Sequence, residues 1–217
     1  MAIGQLMARW AEAYADPRGS ARRILSASPT WVDACAMVLL ATVLQLMIEI
    51  VLENVAPNLD GAAGAPESGA AEGAAGGAGE RLEEADPIAF AFRTLGANLV
   101  LFALVSLVAW FVGRQAGGKG RFTDVMSMVG WHALAGLPLQ VVFLLVFAFV
   151  GPSGSGFASL LFLAVAVYLL YLFAAFIAEA HGFQNVGLVM AASFGVLFAF
   201  SFVSVLVLAR MGLLEMP

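Results

Sequence analysis

The sequence is poor in the residues that build metal and redox sites. It has one cysteine, Cys35, and two histidines, His132 and His181. A single cysteine excludes an intrachain disulfide and a cysteine cluster, and it leaves the redox compartment undetermined. Because Cys35 lies inside an apolar segment, no zinc set can be assembled from nearby His and Cys positions. We therefore predict neither a metal nor a cofactor.

Signatures of enzymes are also missing. No serine lies in a nucleophile elbow, and no pair of acids is supported by a base or a metal. The stretch Gly117-Gly118-Lys119-Gly120 lacks the first glycine and the Ser/Thr of a phosphate-binding loop, and no soluble strand precedes it. For His132 we favour a hydrogen bond within a helix bundle over a proton relay or ligand role. The sequence predicts a protein that is not an enzyme.

Charge is scarce, and apolar residues are abundant. Charged residues make up 12% of the 217 residues and hydrophobic residues 62%, with a mean hydropathy of +0.94. The apolar excess lies in blocks of about 20 residues, the length that a helix needs to cross a bilayer. We predict an all-α, polytopic membrane protein with five transmembrane helices and an N-terminal amphipathic interfacial helix. The net charge of -5 does not indicate nucleic acid, because the acids are concentrated in one loop.

The N-terminal segment, residues 1–27, predicts an amphipathic helix that ends at Asp16-Pro17. Its apolar residues recur at the spacing of one helix face. They are Ile3, Leu6, Met7, Trp10 and Tyr14. Such a helix lies in the membrane interface, with its aromatic side chains at headgroup level and its arginines near anionic lipid. The alternative is a helix that docks on the protein's own cytoplasmic loops.

The first transmembrane helix is predicted within residues 28–54. Thr30 and Asp33 have capping-box spacing, and we favour this structural role for Asp33 over a role in transport. Residues 55–87 are rich in Gly, Ala and acids, a composition that buries too little apolar surface to fold. We expect a disordered acidic loop without the ligand spacing of a calcium site.

A four-helix membrane region is predicted over residues 88–210, followed by a short tail, 211–217. The expected spans are Ile88 to about Val112, a third capped by Thr123 that runs to about Val150, Phe157–Ala178, and Val186 to about Ala209. The third span contains Pro138. A proline within a span kinks the helix and frees a carbonyl, which neighbouring helices or water must satisfy.

Two further patterns lie in the spans. Arg93 is about 9 Å inside the second span, at 1.5 Å per residue, and Glu49 is at a similar depth in the first. Because a charge inside a bilayer is costly unless it is paired or snorkels, we hypothesise that Arg93 pairs with Glu49 or Glu53, and snorkelling is the alternative.

A stripe of small residues follows one side of the fifth span. It consists of Gly187, Ala191, Gly195 and Ala199, at a spacing that lets another helix approach closely. Packing inside the monomer is the first interpretation, and a homodimer face is the alternative.

Lysine and arginine predict the orientation. Seven of them flank one side of the five spans and three the other. This asymmetry predicts a cytoplasmic N-terminus and a cytoplasmic turn that contains Gly117, Gly118, Lys119, Gly120 and Arg121. The acidic loop and the C-terminus are then extracytoplasmic.

The order of these features resembles the Yip-domain proteins, the Ypt/Rab-interacting membrane family and its bacterial relatives. The shared features are the cytoplasmic N-terminus, five spans, the turn that continues into Phe122, the mid-helix Pro138, and His181-Gly182-Phe183 before the last span. The resemblance covers approximately residues 88–209. It implies a non-enzymatic integral membrane protein; eukaryotic members act in vesicle trafficking and membrane shaping with small GTPases. The Ala/Gly-biased composition favours a bacterial member in the inner (plasma) membrane.

These observations predict an interaction, scaffolding or membrane-organising subunit. Its partners would be the lipid bilayer and other membrane proteins, or a second copy of itself. The alternative is a small transporter or channel subunit with a polar site beside the Pro138 kink, for which the sequence offers only Gln45, His132, Gln140 and scattered serines.

Overall fold

The computed structural model describes residues 3–62, 87–150 and 155–210. All regular structure in these ranges is α-helical, and there are seven helices. They are α1 (Ile3–Ala15), α2 (Pro17–Ser26), α3 (Trp31–Ala62), α4 (Pro87–Gln115), α5 (Phe122–Val150), α6 (Ser155–His181) and α7 (Val186–Arg210). The helices α3 to α7 are each long and apolar enough to cross a membrane. The all-α, five-span architecture is therefore confirmed, and the protein is a multi-pass membrane protein.

The start of α3 follows the predicted capping box. The Thr30 backbone N–H donates to Asp33 Oδ2 at 2.9 Å, and the Asp33 N–H donates to Thr30 Oγ1 at 3.3 Å. The end of α3 differs from the prediction, because the helix continues to Ala62 and so takes in the first residues of the expected 55–87 loop. Residues 63–86 lie outside the described part of the chain.

The start of α5 also differs from the prediction. Thr123 was expected to cap this helix, but the helix begins one residue earlier, at Phe122. The capping carboxylate belongs to Asp124, whose Oδ2 accepts the Arg121 backbone N–H at 3.2 Å. Thr123 lies within the first turn, where its carbonyl accepts the hydroxyl of Ser127 at 2.8 Å. The negative charge of Asp124 also lies near the positive end of the helix dipole, where an acid is stabilising.

The helix α5 is the centre of the bundle. It packs most extensively on α3 and α6 and less so on α4, and 61% of its span is buried against 6–28% for the other four. Its buried side chains include Val125, Met128, Val129, Leu134 and Leu137. The helix α7 packs on α6 and makes no comparable contact with another described helix. The last span is therefore peripheral.

The N-terminal segment, residues 3–26, is two helices rather than one. Asp16 and Pro17 separate them, as expected, but the chain then restarts as α2, because Pro17 fits the first helical turn and Asp16 accepts the Gly19 N–H at 2.9 Å. The helix α2 packs on α6, with Ala21 and Ile24 buried. The segment thus docks on the protein itself, which agrees with either a position in the membrane interface or the alternative interpretation. Met7 and Arg9 remain exposed.

Candidate functional site: a clasp at the basic end of the bundle

Three parts of the chain meet at the end of the bundle that carries most of its arginines, which we call the basic end. They are the N-terminal segment, the glycine turn (residues 113–121, from the end of α4 to the start of α5) and the last loop (residues 179–185, from the end of α6 to the start of α7). The predicted turn residues and His181-Gly182-Phe183, which are distant in sequence, are brought into contact here. We call the contact between the glycine turn and the last loop the clasp.

The glycine turn is closed by its own backbone. The Gly118 N–H donates to the Gly113 carbonyl at 2.8 Å, and the Gly117 N–H donates to the Arg114 carbonyl at 3.1 Å. Gly117 has a φ of +85°, a left-handed conformation that other residues adopt only with strain. These bonds satisfy the last carbonyls of α4 and reverse the chain. The structure thus has a tight reversal at this position.

The imidazole of His181 fills the space that the glycines leave. An added Cβ would lie 2.2 Å from His181 Nε2 at Gly113 and 2.5 Å from Nδ1 at Gly118. At Gly120 it would lie 2.5 Å from the Ala180 carbonyl oxygen. The Lys119 N–H also donates to the His181 carbonyl at 3.1 Å. Gly113, Gly118 and Gly120 are therefore needed for the last loop to approach the turn closely. The sequence alone did not indicate which residues pack against them.

The His181 side chain is almost completely enclosed, with 2% of its surface exposed. Its ring stacks on Phe183 with the centroids 5.5 Å apart. The Ala109 carbonyl faces the ring from α4, but neither ring nitrogen meets hydrogen-bond geometry with a described residue. The imidazole is thus held by packing, and it links α4, the glycine turn and the last loop.

Glu179 fixes the last loop to the N-terminal segment. Arg18 Nε lies 2.8 Å from Glu179 Oε2, and Arg22 Nε lies 2.7 Å from Oε1. This carboxylate raises the pKa of Arg22 above its usual value. Arg18 also donates to the carbonyls of Phe183 at 3.0 Å and Gln184 at 3.2 Å. Sequence reasoning assigned these arginines to lipid; the signal it missed is that Glu179 is the sole acid of the last loop.

A second attachment of the N-terminal segment lies near Pro138. Tyr14 donates its hydroxyl to the Ala135 carbonyl, and Tyr168 of α6 donates its hydroxyl to the Tyr14 carbonyl at 2.9 Å. Pro138 has no N–H to bond the Leu134 carbonyl, and the Ala135 carbonyl that Tyr14 reaches is the next one along the chain. Burial, and secondarily the neighbouring Tyr168, raises the pKa of Tyr14 to about 12.

His132, the candidate for a polar site, lies among aromatic side chains. Its ring contacts Phe173 and Phe176 edge-on, with centroids 5.4 Å and 6.3 Å away. Its Nδ1 is buried and has no hydrogen-bond partner among the described residues. The favoured hydrogen bond within the bundle is therefore absent at that nitrogen.

The proposed intramembrane ion pair stays a prediction. Arg93 is exposed on α4, but the side chains of Glu49 and Glu53 lie outside the described ones. The structure therefore does not test whether Arg93 pairs with either glutamate. Within the described ranges, no three His, Cys, Asp or Glu residues are grouped so that they could hold a metal ion.

The small-residue stripe of α7 faces outward. Gly187, Ala191, Gly195 and Ala199 are all exposed, and a Cβ added at Gly195 would meet nothing within 4 Å. The partly buried side of α7 is a different one. It is formed by Val186, Val189, Met190, Ser193 and Val196. No described helix covers the stripe, so it does not pack inside the described part of the monomer. Its use as a partner face stays a prediction.

Comparison with known proteins agrees with this architecture of five long apolar helices, two of which are connected by the glycine turn. The family model described as Yip1 domain matches residues 11–207. The chain therefore belongs to the Yip1 domain family, and the resemblance to Yip-domain proteins is confirmed. The match starts within α1 and includes α2 and α3, whereas the resemblance in the sequence began near Ile88. No curated protein and no solved structure matches the chain.

Proposed function

We propose that this protein is a non-enzymatic membrane subunit that holds other membrane proteins together through α7. The observation that carries the proposal is the outward position of the α7 stripe. A helix that packs on one neighbour has most of its circumference free, and on α7 the free side includes four small residues at a spacing of four.

The stripe suits a helix partner better than it suits lipid. Lipid tails are as apolar as leucine, so helices associate in a bilayer mainly by close packing. Small residues at every fourth position let two backbones approach and gain van der Waals contact. The neighbouring exposed side chains Phe194 and Phe198 would flank such a contact. The partner in this proposal is a transmembrane helix of another membrane protein or of a second copy.

The proposed orientation rests on the charges at the basic end. The basic end carries Arg18, Arg22, Arg114, Lys119 and Arg121, and short basic flanks are retained in the cytoplasm. We therefore place the N-terminus and the glycine turn in the cytoplasm, the C-terminus outside, and the protein in the cell inner membrane. The clasp would then lie at the cytoplasmic face of the membrane, with the exposed Lys119 next to the headgroups.

The test is recovery of the native assembly. The protein is solubilised gently from its own membrane, and its partners are identified by size-exclusion chromatography with mass spectrometry. We expect a stoichiometric partner, or a homodimer, that is lost with Gly195→Leu. The matched control is Gly96→Leu, because Gly96 also faces open space but lies on α4. A monomer in every preparation, or equal loss with both variants, would contradict the proposal.

The second candidate is a small transporter or channel subunit with a polar site beside Pro138. One feature favours it: the Tyr14 hydroxyl donates to the Ala135 carbonyl, within a turn of this proline. Flux through vesicles that changes with Pro138→Ala and His132→Ala would support this candidate over scaffolding. Flux no greater than that of vesicles without the protein would contradict the transporter or channel candidate.

A further inference from the structure

We infer that the N-terminal segment controls the glycine turn, and that the last loop transmits the effect. The clasp is thus a conformational device in which docking of residues 3–26 holds a basic turn in one arrangement. This inference is independent of the α7 stripe, so it stands or falls separately from the proposed function.

The first link is the guanidinium of Arg18. It makes three hydrogen bonds to the last loop: to the Glu179 carboxylate and to the carbonyls of Phe183 and Gln184. The side chain of Glu179 is 14% exposed, and charge-assisted bonds of this kind are the strong ones. Docking of α2 therefore fixes the position of the last loop's backbone through the two carbonyl bonds, in addition to pairing with the charge of Glu179.

The second link joins the last loop to the glycine turn. Phe183, whose carbonyl Arg18 binds, stacks on the ring of His181. That ring occupies the positions where Gly113 and Gly118 would carry a Cβ, and the His181 carbonyl accepts the Lys119 N–H. A shift of Phe183 therefore moves the group on which the turn is packed.

In this inference the contact is either packed, as the structure has it, or released. The ring fits among glycines without side chains, and a Cβ added at Gly113 or Gly118 would lie only 2.2 Å or 2.5 Å from it. Close-packed contacts of this kind switch rather than deform continuously. Without the ring, the turn loses the group packed against Gly113 and Gly118, and its glycines have wide conformational freedom.

The turn that is controlled carries cations that are available to a partner. Lys119 and Arg114 are exposed and have no ion pair among the described residues. Arg121 is paired with Asp124 at 2.8 Å. An ordered turn presents Lys119 and Arg114 in one geometry, and a released turn does not. The N-terminal segment would thus regulate how the basic end meets anionic headgroups.

Hydrogen exchange of the full-length protein in lipid nanodiscs tests the coupling. Arg18→Ala is expected to raise exchange at the Gly118 and Lys119 amides by about fivefold or more, the lower range of measured couplings between sites. Exchange in the centre of α5 is expected to stay unchanged, which shows that the bundle remains folded. The matched control is Arg23→Ala, because Arg23 pairs with Glu12 within the N-terminal segment.

Two results would overturn the inference. One is increased exchange in residues 16–27 and 179–185 with no change in the glycine turn after Arg18→Ala. The other is an equal increase in the turn with Arg23→Ala, which would indicate unspecific loosening.

Coupling is reciprocal, so the reverse experiment uses a variant of the turn. Gly118→Ala, which collides with His181 Nδ1, is expected to raise exchange in α2, whereas Gly96→Ala is expected to leave α2 unchanged. Unchanged exchange in α2 with Gly118→Ala would also contradict the inference.

Discussion

Tyr14 of α1 donates its hydroxyl to the main-chain carbonyl of Ala135, three residues before Pro138. The residues are 121 positions apart in the chain, and the bond joins the N-terminal segment to the central helix at its proline. The segment is therefore attached to the bundle at this point.

Loss of the Tyr14 hydroxyl is expected to destabilise the protein. Tyr14→Phe keeps the aromatic ring but leaves the Ala135 carbonyl without this donor, at a cost of about 1 kcal/mol. Thermal unfolding in mild detergent measures the change. Tyr171→Phe is the control, since the Tyr171 side chain is 40% exposed. Equal effects of the two substitutions would show that the bond to Ala135 contributes nothing.

The stability contributed by Tyr14 is expected to depend on alkaline pH. Its pKa is raised from 10.0 to about 12, so the folded state favours the neutral phenol. The contribution is fully present below pH 10, and it declines as the pH rises from 10 towards 12, where the unfolded chain ionises first. The difference in Tm between the wild-type protein and Tyr14→Phe should be constant below pH 10 and shrink above it. A difference that grows with pH in this window would contradict the assignment.

Neutralising Glu179 is expected to release the N-terminal segment. Glu179→Gln removes the charge that Arg18 and Arg22 share, and a lost charge-assisted hydrogen bond costs about 2 kcal/mol. Trypsin should then cleave after Arg18 and Arg22 severalfold faster in the folded protein. Glu12→Gln, which affects only the exposed pair with Arg23, serves as the control. Cleavage rates that are the same in all three proteins would show that Glu179 does not hold the segment.

Two glycines of the same helix should respond oppositely to alanine. Gly96 faces open space, so Gly96→Ala should stabilise α4 by about 0.5–1 kcal/mol through helix propensity. At Gly113 the same methyl would lie 2.2 Å from the His181 ring, so Gly113→Ala should destabilise the protein. A double-mutant cycle with His181→Ala should remove most of that loss. Stabilisation by both alanines would contradict the close approach of His181.

The sequence predicts the helices better than it predicts the clasp. Five blocks of apolar residues and the Thr30/Asp33 capping box are local signals, and both are found in the structure. The Arg18–Glu179 pair joins residues 161 positions apart, and no local pattern encodes such a contact. The glycine turn was expected as a reversal, but its composition does not say that His181 fills it.

Helix α2 and the α7 stripe show two other limits of sequence reasoning. The helix α2 has 10 residues, three of them arginines; a helix of this length is marginal alone, and tertiary packing buries its Ala21 and Ile24. The periodicity predicts that the members of the stripe share one side of α7, and all four are exposed. Periodicity does not say which side a neighbouring helix covers, and α6 covers another one.

The central claim is that the outward side of α7 contacts another protein, and photo-crosslinking in the native membrane tests it most directly. A photoactivatable residue replaces Ala191 in the stripe or, as the control, the exposed Ala97 on α4. We predict a discrete protein adduct from position 191 and only lipid adducts from position 97. Lipid adducts alone from both positions would contradict the claim.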